Sequence, residues 1–479
     1  MSASRVEEII SGSNVRFGTS GARGLVADMT DEVCYVYAAA FIQNVAGNAG
    51  QIVLGHDLRP SSPSIAAACA AAINDSGREV VYAGALPTPA LAFYAAQLKI
   101  PALVVTGSHI PFDRNGIKFY RVEGEISKAD EVAMLNAVVD VPREITPTVL
   151  PEVDERAGQA YIQRYLDFFG NAALEGLRVA VYEHSSVARD VLRSILEGLG
   201  AKVISLGRTD IFVPIDTEAV RPEDVVQARK WAEENIFDAI ISTDGDADRP
   251  LIGDERGRWL RGDMVGILCA QYMGADVVVT PVSSNTAVEK CGSFKNVVRT
   301  RIGSPYVIAG MESLLSKGTN VVGYEANGGF LLGSDVLRHA RFMAALPTRD
   351  AILPILALLC LSRERDCKLS QLAEDLPARF TASDRLQNFA TMESQKLLAR
   401  LLDNASLLSA TLAPQSGSII SIDQTDGLRV TFKSDDIVHL RPSGNAPELR
   451  CYTESVTPER AQMLCETCLQ RVRIQAQTA

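Results

Sequence analysis

This sequence predicts three similar α/β domains with mixed sheets, plus a smaller α+β C-terminal domain, set around a central cleft. Three observations lead there. A strand, loop, helix, strand pattern recurs three times between residues 52 and 329. After about residue 370 the pattern gives way to short strands and a closing amphipathic helix. The chain of 479 residues also exceeds what one core accommodates, at a prior of roughly 150 residues per domain.

The first repeat, IVLGHDLRPSSPSIAAACAAAINDSGREVVYAG from 52 to 84, reads as strand, polar loop, Ala-rich helix ending near Gly77, and second strand. The second, VAVYEHSSVARDVLRSILEGLGAKVISLG from 179 to 207, has the same order. Its Val187, Val191, Leu192, Ile195, Leu196 and Leu199 form a buried helical stripe that Gly200 ends. The third opens on DVVVTPVSSNTAVEKCG, passes through a helical stretch around Val307 to Leu315, and reaches NVVGYEANGG. Pro142, Pro147 and Pro151, and the charged stretch DERGRWLRGD at 254 to 263, interrupt the periodicity. Domains are therefore expected at 1–149, 150–255, 256–370 and 371–479.

In the last of these, SGSIISID, GLRVTF and IVHLRPS read as strands, with Asp426-Gly427 as a hairpin turn. The closing helix places Ala461, Leu464, Cys465, Cys468, Leu469 and Val472 on one face, so the C-x-x-C pair reads as core and not as a zinc or redox pair.

Composition bounds the function. Apolar residues at 47% and charged residues at 22% describe an ordinary globular protein. A net charge of -11 lacks the basic face that nucleic acid or anionic membrane requires, so neither is an expected partner. The N-terminus MSASRVEEII is no signal peptide, and the longest apolar run, AILPILALLCL, has eleven residues where a membrane helix needs about 20. Nine scattered cysteines suit reduced thiols, and a cytoplasmic location is expected.

Four stretches carry chemistry. In ALVVTGSHIPFDRNGIKFY, Ser108 follows a strand at its carboxyl end, where α/β proteins place their sites. Pro111 and Phe112 rule out the hydrolase elbow, and a nucleophile or a turn-capping serine fits these residues alone. DGDADR sets Asp244, Asp246 and Asp248 at alternate positions, and three such carboxylates repel unless a cation neutralises them. Arg249 stands where an EF-hand needs glycine, so Mg²⁺ with an open position for a phosphate oxygen is the favoured reading over a solvated acidic turn. In GYEANGGF, Glu325 and Asn327 on a glycine-rich loop could bond vicinal sugar hydroxyls, or simply form a turn. In HLRPSGNAPELRCYTE, Arg441, Ser443, Gly444, Asn445 and Arg450 supply the donors of a phosphate site, or of an ordinary hairpin.

Taken together and in this order, the four stretches resemble the α-D-phosphohexomutase family, the phosphomannomutases and phosphoglucomutases, over essentially the whole chain. Thr106, Ser108, His109 and Pro111 match the family's T-x-S-H-x-P signature, which implies that Ser108 carries the phosphoryl group. DGDADR matches the metal loop, with Ser108 completing the ligand set and Arg249 accompanying it as a substrate-binding residue. FGTSGARG resembles the N-terminal motif, implying that Arg23 points at the phosphoserine. NGIK supplies Lys118 as a proton carrier beside it, with His109 the other candidate, and TRIGSPY offers Arg301 as a basic ligand contact. Near Arg23 and Arg249, Lys118 is expected to have a lowered pKa.

Two departures stand out. Many relatives read G-E-x-S-G-H in the sugar loop, whereas here Asn327 replaces the serine and Gly329 the histidine. The phosphate loop has Asn445-Ala446-Pro447 in place of Thr-Glu-Pro. The resemblance implies a hexose 1,6-bisphosphate intermediate and activator, small hexose phosphates as ligands, and mannose 6-phosphate and mannose 1-phosphate as the expected pair. Phosphoglucomutase or phosphoglucosamine mutase is the alternative within the family. Outside it, the alternatives are a Mg²⁺-dependent sugar-phosphate phosphatase and a non-catalytic sugar-phosphate sensor.

Overall fold

The Ala-rich run of the first repeat folds as helix Ser62–Asp75, with Pro63 in the first turn, where its missing amide hydrogen costs nothing. The helix carries the chain from strand Gln51–His56 to its parallel neighbour Glu79–Ala85. Ala102–Val105 then pairs in parallel on the other side of Gln51–His56, and Arg114–Arg121 turns back antiparallel against it. Ala22–Leu25 and Arg16–Phe17 complete the mixed sheet at one edge. We describe a computed structural model that covers residues 2–316, 318–443 and 447–477. Gly444 and Asn445 lie outside the described residues.

The same plan returns twice. Arg178–Tyr182 pairs in parallel with Lys202–Leu206 and with Ala239–Thr243, and Pro250–Gly253 closes the sheet antiparallel. Val277–Pro281 pairs in parallel with Asn296–Thr300 and with Val321–Tyr324, and Phe330–Leu332 and Leu346–Asp350 follow antiparallel. The central strands are buried on both faces, which is why they read as near-continuous apolar runs. The fourth sheet is antiparallel throughout: Phe380–Gln387, Glu448–Ser455, Ile437–Pro442, Leu428–Phe432 and Ile419–Asp423, in that spatial order. Helix Pro458–Gln477 lies against it with Cys465 and Cys468 fully buried, as its apolar face requires.

The long apolar run forms helix Ile352–Glu364, buried from Ile352 to Ser362 within the largest core. Among the described residues no helix is long and apolar enough to cross a membrane.

This repetition positions the chemistry. In each of the three repeats the last parallel strand leads into an antiparallel one, and the connection between them is the stretch singled out above: 106–113, 244–249 and 325–329. In the fourth sheet the phosphate stretch likewise joins the paired strands Ile437–Pro442 and Glu448–Ser455.

Candidate active site

Ser108 is fully buried and adopts φ of 54°, a left-handed backbone that an L-residue enters at a cost. The surroundings hold it there. Its N–H donates to Thr106 Oγ1 at 2.8 Å, and Thr106 Oγ1 donates to Asp57 at 2.7 Å. Arg59, almost fully buried, donates to the carbonyls of Ser108, Ile110, Pro111 and Arg114 at 2.6 to 2.9 Å, so one guanidinium gathers the whole loop. Asp57 Oδ2 in turn accepts from Arg59 Nε at 3.2 Å.

The held hydroxyl points at the metal stretch: Ser108 Oγ donates to Asp244 Oδ2 at 2.6 Å. Asp244, Asp246 and Asp248 are each at most 1% exposed, and one ligand oxygen from each lies within 4.8 Å of the others. Gly245 allows the approach, since a Cβ there would meet the Ser108 carbonyl at 2.9 Å. Asp246 Oδ1 and Asp248 Oδ1 are buried without a hydrogen-bond partner. Two orphaned carboxylate oxygens beside a third carboxylate and a serine hydroxyl form an all-oxygen donor set that fits a hard divalent cation.

Three cations balance the triad. Lys118 Nζ bridges Asp246 Oδ2 and Asp248 Oδ2, each at 2.6 Å. Arg249 Nε lies 3.5 Å from Asp248 and 3.9 Å from Asp244. Arg349 donates to Asp248 Oδ2 through Nη2 at 2.7 Å and Nε at 3.1 Å. The expected lowering of the Lys118 pKa is thereby overturned. Burial alone would lower it, but Asp246 and Asp248 outweigh burial and hold the ammonium above its ordinary value. Asp244 is raised as well, far above the carboxylate range, by burial and by Asp246 and Asp248.

His109 is pushed well below the usual imidazole range by burial, Arg249 and Arg23, so it is neutral. Arg249 Nη1 donates to its Nδ1 at 2.9 Å, and Ser108 Oγ lies 3.3 Å from the same nitrogen. Arg23, half-buried on strand Ala22–Leu25, falls to about 10 through burial and the nearby Arg249 and Arg349.

The sugar stretch joins through one residue. Glu325 Oε2 accepts from Arg349 Nη1 at 3.0 Å, so the guanidinium that holds Asp248 also holds Glu325. Asn327 Oδ1 accepts from Gly329 N at 2.9 Å, and its own carbonyl accepts from Thr217 Oγ1 at 2.7 Å. The phosphate stretch stands at the edge of the fourth sheet. Arg441 donates to Asp426 Oδ2 at 2.8 Å, and that oxygen also accepts from Ile302 N at 2.9 Å. Exposed Arg301 donates to the neighbouring Thr425 carbonyl at 3.2 Å, so Arg441 and Arg301 meet across one turn. Ser443 is buried, its N–H donating to Glu448 O at 2.8 Å, and Arg450 is half-buried with Nε 3.9 Å from Glu448.

Thus the structure gathers Ser108, His109, Lys118, the three aspartates, Arg249 and Glu325 into one linked cluster. It adds four residues that sequence reading missed: Arg59, Arg349, Thr88 and Glu125. Thr88 donates to Asp246 Oδ2 at 2.6 Å. Glu125 accepts from the hydroxyls of Ser20, Ser304 and Thr348 at 3.1 to 3.3 Å, tying the first sheet to the third. Arg349 stands beside Thr348 and Asp350 in LPTRD, where no local pattern marks it out.

Comparison with known proteins agrees with this arrangement along the chain. The description Phosphoglucomutase/phosphomannomutase, alpha/beta/alpha domain I, matches residues 14–140, domain II residues 159–257 and domain III residues 261–380. The C-terminal domain of the same family matches residues 386–470. A phosphomannomutase of Salmonella muenchen is 46% identical over 470 residues, 97% of each chain. The chain belongs to the phosphoglucomutase/phosphomannomutase family. A second phosphomannomutase, from Sinorhizobium fredii (strain NBRC 101917 / NGR234), is 43% identical over 94% of this mutase-family chain and 97% of its own. The fold also matches a solved phosphoglucomutase/phosphomannomutase family protein of Burkholderia thailandensis. The two superpose with a TM-score of 0.75 at 19% identity, over 96% of this chain and 97% of the other.

Proposed function

We propose that this protein is a phosphomannomutase, interconverting mannose 6-phosphate and mannose 1-phosphate through phospho-Ser108 and a 1,6-bisphosphate. The observation that carries the reading is the 2.6 Å hydrogen bond from Ser108 Oγ to Asp244 inside a buried, oxygen-rich triad. Serine at such a site is suited to carrying a phosphoryl group, because a cation held by the carboxylates, together with the guanidinium groups, would balance its negative charge. The 46% identity to a phosphomannomutase supports mannose as the sugar.

Asp244, Asp246 and Asp248, with the Ser108 oxygen, are the residues that would hold Mg²⁺, which when bound draws charge from the phosphoryl oxygens. The protein's own part is positioning. Arg59 and Thr106 fix the loop, so that Ser108 faces the incoming hydroxyl without reorganisation. Phospho-Ser108 gives its phosphoryl group to the free hydroxyl of the hexose phosphate; the P–O bond to serine breaks as the new P–O bond to the sugar forms. Arg23 and Arg249 are assigned to the phosphoryl oxygens. His109 is in its basic form and Lys118 in its acidic form, so the pair offers one group to take the hydroxyl proton and one to return a proton to Ser108. The bisphosphate then turns over, and the second half-reaction runs in reverse at the same serine.

Glu325 and Asn327 are assigned to the sugar hydroxyls. With Asn327 Oδ1 already engaged by Gly329, its Nδ2 is the atom left to donate. Arg441, Ser443, Gly444, Asn445 and Arg450 are assigned to the distal phosphate, which would replace Asp426 as the partner of Arg441.

The test is a coupled assay with mannose 1-phosphate, glucose 1-phosphate and glucosamine 1-phosphate, each with catalytic hexose 1,6-bisphosphate and Mg²⁺. Mannose 1-phosphate should show the highest kcat/KM. Preference for either other sugar would overturn the mannose assignment, and steady release of inorganic phosphate would replace the mutase by a phosphatase.

A further inference from the structure

Position 329 has no room for a side chain while Arg349 lies where it does. A Cβ added to Gly329 would fall 2.6 Å from Arg349 Cδ and 3.0 Å from its Cγ, inside the contact distance of two carbons. The cause is strand register: Leu346–Asp350 pairs with Phe330–Leu332, and Asp350 stands opposite Phe330. The stem of Arg349 therefore crosses the last residue of the sugar loop and delivers its guanidinium behind Glu325.

Every nitrogen of that guanidinium is used. Nη1 donates to Glu325 Oε2 at 3.0 Å and to Ser304 Oγ at 3.3 Å, while Nη2 and Nε donate to Asp248 Oδ2 at 2.7 and 3.1 Å. Arg349 is only 2% exposed, and taking an ion so completely out of water is costly unless its partners need it. Asp248 does not need it alone, because Lys118 and Arg249 also face that carboxylate. Glu325 does: among the described residues, Arg349 is the one side chain hydrogen-bonded to its carboxylate, which is 4% exposed. The planar fork reaches the two carboxylates through different nitrogens, Nη1 to Glu325 and Nη2 with Nε to Asp248, a fixed geometry that a single ammonium does not reproduce.

We propose that Arg349 is the positioning residue of the sugar loop. It sets the Glu325 carboxylate for the sugar and ties that grip to Asp248 of the metal stretch, and residue 329 is glycine so that the arginine can pass. The proposal rests on the reading of Glu325 as a sugar ligand given above. Sugar binding and the phosphoryl-transfer loop are then mechanically joined through one side chain.

The experiment is a double-mutant cycle on the full-length protein, read in KM and kcat for mannose 1-phosphate with thermal melts as the fold control. Arg349→Met keeps the stem and removes the fork; KM should rise by about tenfold or more, and Arg349→Lys should recover part of the loss. In a Glu325→Gln background, Arg349→Met should cost less than roughly threefold, because its target is already gone. Gly329→Ala should damage the wild type but add little to Arg349→Ala, in which the Cγ and Cδ that the new methyl group would meet are gone. Equal losses in both Glu325 backgrounds, or unchanged KM and kcat in Arg349→Met, would overturn the proposal. If Arg349→Met does not fold, Arg349→Lys in the two backgrounds gives the same comparison. A wild type that isomerises none of the three hexose phosphates would sink the functional reading instead.

Discussion

At Ser108 a backbone penalty and a chemical role coincide. Its φ of 54° costs an L-residue roughly 1 kcal/mol, and it persists because Thr106 and Arg59 over-determine the loop. Glycine escapes that penalty and alanine does not. We therefore expect Ser108→Ala and Ser108→Gly both to lose turnover, with the glycine variant the more stable of the two by about 1 kcal/mol in thermal or denaturant unfolding. Full activity in either would remove Ser108 from the mechanism, and equal stability would show that the φ carries no strain. The alternating aspartates were legible because local spacing alone forces them together. Arg349 was not, since its partners Asp248 and Glu325 stand 101 and 24 residues away. The Lys118 pKa was misjudged for the same reason: the sequence places two arginines in its company but not the two carboxylates at 2.6 Å.

Single strands carry electrostatic commitments of their own. On strand Ile437–Pro442, His439 donates from Nε2 to the Asp426 carbonyl at 2.6 Å and stacks on Tyr452. Burial pushes its pKa down to about 4. An unfolded chain takes up that proton near pH 6.5, so between roughly 6.5 and 4 the unfolded state binds more protons than the folded one. The contribution of His439 is therefore complete above about pH 6.5 and is lost as pH falls toward 4. His439→Gln, which can still donate to Asp426, should flatten the fall in melting temperature across that window relative to wild type; an unchanged slope would count against the buried neutral histidine. The element itself was readable as one of the short strands and from the Asp426-Gly427 turn, whose Gly427 has φ of 89°. That the turn would clasp Ile302 and Arg301 of the third repeat was not, because the contact is between a loop and a helix start with no periodicity to announce it.

For the molecule as a whole, each repeat contributes one connection from a parallel strand to its antiparallel partner, and the three meet around Ser108. The repeats themselves could be read from apolar runs and helix stops, and so could the change of character after residue 370. Their mutual orientation could not. It depends on joints such as Glu125 with Ser20, Ser304 and Thr348, and Asp350 with Tyr161 and Tyr165, which unite residues distant in sequence by hydrogen bonds that leave no local pattern. The charge cluster around Ser108 bears on how the fold would fare without a bound cation. Lys118, Arg249 and Arg349 already neutralise much of the triad, so the folded state does not depend on magnesium to relieve repulsion among the aspartates. Chelation should abolish turnover while leaving the melting transition within about 5 °C of the loaded protein, and adding Mg²⁺ back should restore activity without refolding. Collapse of the circular dichroism signal on chelation would contradict this. With the fold retained on chelation, the ion would be a replaceable reagent and not a keystone: a protein stripped of its divalent cation would stay intact and resume work when the cation returns.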